Sequence, residues 1–179
     1  NRGCILAGDI HRHKLALVEE SCRRLGISIV RTQPLDAREL EKKYPGWADR
    51  VLVDAPCSGL GVLSRRPDSR WKKSPQQIPE LAGLALEILT STGECVKKGG
   101  VLVYCTCTLE PEENQQVVER FLEKRDDFRL DPLTPYLPGI LAAKEGAEEG
   151  FLQLLPHVDR LDGFFIARMV RKSEGRGRL

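Results

Sequence analysis

The feature that most restricts the fold of this 179-residue sequence is a succession of short apolar runs, each closed by a turn and followed by residues at helical spacing. The run at residues 4–7 ends in Gly8-Asp9, after which Leu15, Val18, Cys22 and Leu25 recur on one helical face before Gly26. Residues 27–30 are β-branched and predict a second strand. Residues 51–53 predict a third, bounded by Asp49-Arg50 and by Asp54-Ala55-Pro56. Runs this short and this apolar suit parallel strands covered on both faces. Between 79 and 98, Leu81, Leu84, Ile88, Leu89, Cys95 and Val96 predict an amphipathic helix ended by Gly99-Gly100, and residues 101–104 the next strand. Pro111-Glu112-Glu113 has the composition of a first helical turn, with Val117, Val118, Phe121 and Leu122 as its apolar face. Proline and glycine dominate 132–150, and apolar runs at 151–155 and 164–170 flank Asp162-Gly163, which predicts an antiparallel hairpin.

Strands alternating with helices and finished by an antiparallel pair define an α/β fold: an open, mostly parallel sheet with a C-terminal antiparallel hairpin. Residues 1–171 form one expected domain, and the basic stretch 172–179 an expected disordered tail. The apolar runs are far shorter than the roughly 20 residues of a membrane span, and no signal-peptide pattern opens the chain, so a soluble, cytoplasmic protein is expected. A formal net charge of +2 is too small to mark a nucleic-acid binder, so that question turns on where the charge is concentrated. Four of the six cysteines, Cys57, Cys95, Cys105 and Cys107, fall in or beside segments that read as core elements, which favours reduced thiols.

Ligands of such sheets bind beyond the carboxyl ends of the strands. Acids stand there three times: Asp9, Asp36 and Asp54. Any one of them alone reads most simply as a cap of the following turn. Three in series point to a nucleoside-containing ligand, whose hydroxyl and amino groups a carboxylate accepts. Cys57 follows the third strand and Cys107 the next one, so neighbouring strands aim both thiols at one crevice. A thiolate in a partly exposed, electropositive pocket is a strong nucleophile. Cys4, Cys22 and Cys95 lie on apolar faces and read as structural. A zinc site at Cys57, Cys105 and Cys107 is disfavoured by the Cys-x-Cys spacing and the lack of a fourth ligand, and His11 and His13 have no third metal ligand beside them; no metal is expected. Between 65 and 73, Arg65, Arg66, Arg70, Lys72 and Lys73 face a single acid, Asp68, with Trp71 among them. Composition leaves Trp71 equally a core residue or a base-stacking one; its place after Cys57 on the presumed active face favours RNA contact.

The motifs Asp54-Ala55-Pro56-Cys57-Ser58-Gly59 with Gly61-Val62, Arg66-Pro67-Asp68 with Arg70-Trp71, and Tyr104-Cys105-Thr106-Cys107-Thr108 running into Pro111-Glu112-Glu113-Asn114 stand together in one chain. Gly8-Asp9-Ile10 and the terminal Asp162-Gly163-Phe164 accompany them. With them the chain resembles the Sun/RsmB-type (NSUN) RNA cytosine-5 methyltransferases over nearly its whole length. The resemblance implies a Rossmann-like sheet, S-adenosyl-L-methionine as cofactor, and RNA as substrate, small-subunit ribosomal RNA before transfer RNA. It implies that Cys107 attacks C6 of a cytosine and that Cys57 assists release of the methylated product. It also implies that Asp54 contacts the base or the cofactor, Asp9 the ribose and Asp36 the adenine end.

In that family a first strand and glycine-rich loop wrap the methionine end of the cofactor, and an amino-terminal RNA-recognition region is common. Neither precedes Asn1 here. The expectation is a monomeric fragment, either a truncated gene product or part of a longer protein, with a central strand missing from the sheet, its neighbours unpaired and cofactor binding poor. The rival reading is a non-catalytic RNA-binding remnant.

Overall fold

Parallel pairing organises the amino-terminal half of the protein. The structure, a computed structural model, describes residues 1–173; the side chain of Lys72 and residues 174–179, which hold most of the expected tail, lie outside the described residues. Strand β1 (Ile5–Asp9) leads into helix α1 (Arg12–Arg24) and returns to β2 (Val30–Pro34), which pairs with β1 in parallel from Ile5 with Val30 to Asp9 with Pro34. The second strand thus begins at Val30 rather than at Ile27. The Ile27 N–H instead bonds the Cys22 carbonyl at 2.8 Å, so residues 27–28 finish the turn off α1, and pairing starts where the Ile29 carbonyl accepts the Ile5 N–H at 2.9 Å. A short helix α2 (Leu40–Lys43) precedes β3 (Ala48–Asp54), which pairs in parallel with β4 (Val96–Thr106) across helix α3 (Gln77–Cys95).

Helix α3 ends at Cys95, four residues before the glycine pair expected to stop it. Val96 is already in β4 and wholly buried, and Gly99 takes a φ of 77° that puts a bulge inside the strand, so the pairing jumps from Ala48 with Val96 to Arg50 with Val101. The glycines make a bulge where a helix end is expected.

The carboxyl half is antiparallel. After helix α4 (Gln115–Lys124) come β5 (Phe128–Leu130), the short helix α5 (Gly139–Ala142), β6 (Phe151–Leu154), the short helix α6 (Pro156–Asp159) and β7 (Phe164–Arg171). Strand β7 lies between β4 on one edge and both β5 and β6 on the other, all antiparallel to it. The expected hairpin is β6 with β7, Leu154 opposite Phe164, with α6 carried in its loop. Strand β5 has only three residues and escapes a periodicity reading.

Helices α3 and α4 cover this sheet. Leu89, Val117 and Phe121 are wholly buried against Leu102, Tyr104, Phe165 and Met169, and the Phe121 and Phe128 rings meet edge-on at 5.2 Å. Full burial of each such side chain contributes about 1.5–3 kcal/mol. Strands β1 and β2 form a separate sheet, so β1 and β3 are each paired on one side only. Leu52 of β3, on the face opposite the buried Val53, is 70% exposed, and Ile5 of β1 is 50% exposed. Among the described residues no helix is long and apolar enough to cross a membrane.

Candidate active site

The register of β3 with β4 decides what meets at the top of the sheet. Asp54 pairs with Cys105, so the loop leaving β3 and the end of β4 emerge side by side. Their two half-buried thiols, Cys57 and Cys107, come to 3.6 Å between sulfurs. Either sulfur can donate in that contact, and the electrostatics favour Cys57 as donor and Cys107 as acceptor. That bond, opposed by partial burial and by Asp54 and aided by the Arg66 charge, brings the Cys107 thiol down to about 6, whereas the same bond and burial push Cys57 far up. One sulfur is therefore a thiolate near neutrality, and its partner is held protonated beside it. Cys105 points the other way: it is buried, its Sγ lies 3.4 Å from the Val53 carbonyl, and burial pushes it up to about 12. Cys95 is also buried, but Cys4, expected inside, is exposed and lies just before β1.

A buried polar network holds the two thiol-bearing segments. Glu113 is 0% exposed; its Oε1 accepts the Ser58 N–H at 2.7 Å and its Oε2 the Ser58 hydroxyl at 2.5 Å. The Thr108 hydroxyl lies 2.7 Å from that of Ser58. Asn114 brackets Cys107 from both sides, accepting from the Thr106 hydroxyl and donating to the Thr108 carbonyl at 3.1 Å and to Gln153 of β6 at 2.9 Å. Glu113 was expected, with Pro111 and Glu112, in a first helical turn. Helix α4 instead starts at Gln115, and the turn before it sends Glu113 and Asn114 inward while Glu112 stays exposed. The available sequence signal was a consecutive Glu-Asn between a buried strand and a helix, two polar groups that burial obliges to find partners.

Backbone contact closes the junction. The Gly61 N–H donates to the Cys107 carbonyl at 3.0 Å, and the Gly163 N–H to the Gly61 carbonyl at 2.8 Å. A Cβ at Gly61 would sit 2.3 Å from the Gly163 carbonyl oxygen, so three segments meet there at a distance only glycine allows.

The three acids are brought to strand ends but not to one point. Asp9 accepts the His11 N–H at 2.8 Å and pairs with Lys14; partial burial opposes the shift, but these partners hold its carboxyl below the usual range. Asp36 caps the turn at Ala37–Glu39, and the Arg38 guanidinium and N–H bring it to about 2. Both do the capping work that is the simpler reading of each, and each keeps free lone pairs. Asp54 is exposed, and among the described residues its carboxyl meets only the Cys105 thiol, at 4.0 Å. Acceptors at adjacent strand ends, with Asp54 left open beside the thiols, fit a nucleoside-bearing cofactor. Among the described residues no three His, Cys, Asp or Glu side chains gather as metal ligands.

The basic loop is solvent-facing. Trp71 is 82% exposed, which removes the core alternative for it, and the Arg70 guanidinium lies 5.5 Å from the centre of its ring. Arg65 pairs with Asp162 beside the Gly163 junction, Arg66 acts on Cys107, and Lys73 is exposed. Lys72 belongs to the same 3-10 turn, Pro67–Lys72.

The sheet has a Rossmann-like fold, with the paired thiols at its carboxyl end. Two solved structures share the fold: NSun6 from Pyrococcus horikoshii, determined with SFG, at a TM-score of 0.78 and 32% identity over 95% of this chain and 42% of that one; and a methyltransferase homolog from the same organism, at 0.71 and 28% over 94% and 53%. The chain belongs to the family described as 16S rRNA methyltransferase RsmB/F, whose model matches residues 1–170. It is 41% identical over 175 residues to a Bacillus subtilis protein named "Probable ribosomal RNA small subunit methyltransferase B" (97% of this chain, 39% of that protein), and 38% identical to the Escherichia coli ribosomal RNA small subunit methyltransferase B (94% and 37%). It therefore spans about two-fifths of the length of these relatives.

Proposed function

We propose that this chain carries the catalytic centre of an S-adenosyl-L-methionine-dependent RNA cytosine-5 methyltransferase acting on small-subunit ribosomal RNA. The observation that carries the reading is the thiol pair, Cys57 and Cys107 brought from neighbouring strand ends to 3.6 Å between sulfurs. The names of the relatives support the ribosomal substrate.

Cytosine C5 is a poor nucleophile while the ring is aromatic, so a covalent step must come first. Cys107 adds to C6, forming the S–C6 bond and pushing the electron pair of the C5–C6 double bond toward C5. Asp54, open beside the thiols, accepts from the exocyclic amino group and holds the base edge. The base reaches this crevice only when single-stranded or flipped out of a duplex, and the exposed Trp71 with Arg65, Arg66, Arg70, Lys72 and Lys73 provides stacking and phosphate contacts beside it. S-adenosyl-L-methionine, when bound by Asp9 and Asp36, supplies the electrophilic methyl group that C5 takes. Once Cys107 is bound to C6 it is no longer a thiolate and no longer holds the proton on Cys57; Cys57 can then release that proton to solvent and, as thiolate, take the C5 proton, while the electron pair of the C5–H bond reforms C5–C6 and expels the Cys107 thiolate.

RNA containing 5-fluorocytosine has no C5 proton to lose and should trap the adduct in the presence of cofactor. Cys107→Ala should abolish the adduct, and with ordinary RNA Cys57→Ala should make it accumulate. An adduct that survives loss of Cys107 refutes the assignment, and retained RNA binding with no adduct in the unaltered protein supports the remnant reading. Because β1 and β3 pair on one side only, the Asp9 and Asp54 ends are not held to each other by strand pairing, and cofactor binding by these 179 residues should be weak. Calorimetric titration of this chain and of one extended at its amino end checks this; equal tight binding by both would sink it.

A further inference from the structure

We propose that Glu113 is a positioning residue for the thiol pair: through Ser58 and Thr108 it sets the separation of Cys57 and Cys107. The inference rests on the reading of those cysteines given above.

Glu113 has no role in forming α4, which begins two residues later. A carboxyl group is costly to bury without partners, and Glu112 beside it stays in water. Both oxygens of Glu113 are spent on Ser58, the residue after Cys57 and 55 positions distant in sequence. The turn bearing Glu113 is itself anchored to β4, because the buried Tyr104 hydroxyl donates to the Glu113 carbonyl at 2.5 Å. The carboxyl group thus gauges the distance between the strand that ends in Cys107 and the loop that carries Cys57. That loop has two backbone ties to the same strand, Ala55 N–H to the Cys105 carbonyl and Gly61 N–H to the Cys107 carbonyl. Cys57 lies between them, and Ser58 is the only residue of the interval that Glu113 holds.

The hydrogen bonds have one direction. Ser58 gives its hydroxyl proton to Glu113, so the Thr108 hydroxyl must donate to Ser58, which links the residues that follow each cysteine. In Glu113→Gln the amide oxygen must face the Ser58 N–H, a donor only. The amide nitrogen then faces the Ser58 oxygen as a donor, so one hydroxyl proton of the Ser58–Thr108 pair loses its acceptor. The variant is isosteric and should loosen the Cys57 loop without emptying the core.

The test reads Cys107 rather than turnover. Alkylation of the chain by iodoacetamide from pH 5 to 9, followed at the Cys107 peptide by mass spectrometry, gives the midpoint of its thiolate. Besides Cys57, the groups facing Cys107 are Asp54 and Arg66, and both stay in place in every variant. Cys57→Ala should raise the midpoint by about one unit or more, which below the midpoint means about tenfold slower alkylation. Glu113→Gln should raise it by at least half as much with Cys57 still present, and Ser58→Ala should shift it in the same direction. If Cys57→Ala leaves the midpoint unchanged, the thiol-pair reading fails and this inference with it. If Cys57→Ala shifts it while Glu113→Gln lowers only the melting temperature, the role of Glu113 is structural and the inference alone is overturned. Should Glu113→Gln not fold, Ser58→Ala decides, and an unshifted midpoint there is equally fatal.

Discussion

A single methyl group at position 61 probes how the active-site loops are packed. The Cβ of Gly61→Ala would lie 2.3 Å from the Gly163 carbonyl oxygen, 2.7 Å from the Gly163 carbonyl carbon and 2.8 Å from the Cys107 carbonyl oxygen. All three are backbone atoms, so no rotamer relieves the overlap; two segments must separate by about 1 Å to reach ordinary contact. Overpacking of this kind costs about 1–3 kcal/mol. The separation also stretches the Gly61 N–H bond to the Cys107 carbonyl and the Gly163 N–H bond to the Gly61 carbonyl, each contributing about 0.5–1.5 kcal/mol. A loss of about 2–6 kcal/mol follows, or about 4–24 °C in melting temperature for a protein of this size. Gly83→Ala is the matched control: position 83 is exposed inside α3, a Cβ there meets nothing within 4 Å, and alanine should stabilise by about 0.5–1 kcal/mol. Calorimetric melting of the two variants gives shifts of opposite sign. A Gly61→Ala protein that melts within about 2 °C of the parent, with Cys107 alkylation unchanged, would refute the claim that the junction positions the nucleophile.

Two further outcomes are expected. The Arg125 side chain, against the opposing effect of burial and with help from Arg171, holds Asp127 at about 2, below the unfolded value of about 3.9. Its contribution is therefore present above about pH 4 and lost as pH falls toward 2, so the deficit of Asp127→Asn in urea unfolding should be largest at neutral pH and shrink on acidification; a deficit constant from pH 7 to 2.5 counts against it. Trp71→Ala should leave stability within about 0.5 kcal/mol, because the ring is 82% exposed, while weakening single-stranded RNA binding by about 1–3 kcal/mol in a filter assay; unchanged affinity removes the stacking role.

The alternation of apolar runs with helical spacings was enough to read an α/β sheet, the order of its main strands and the terminal hairpin, because burial of alternate faces imprints a period on each element. It was also enough to place Cys57 and Cys107 at neighbouring strand ends, since a thiol among Pro, Ser and Gly after an apolar run has no core to enter. Local pattern failed where a residue's role is set by a partner far along the chain. Gly99 reads as a helix stop until pairing with β3 makes it a bulge, and β5 is too short to show a period until β7 supplies its ladder. Glu113 has the composition of a helix start; only the fold, by bringing Ser58 across 55 residues, turns it inward. The 3.6 Å between the sulfurs is likewise a product of register, Asp54 against Cys105, and no spacing in the sequence encodes it. Periodicity records which way a side chain faces, whereas distance between loops arises from strand pairing and from polar groups that burial forces to find each other.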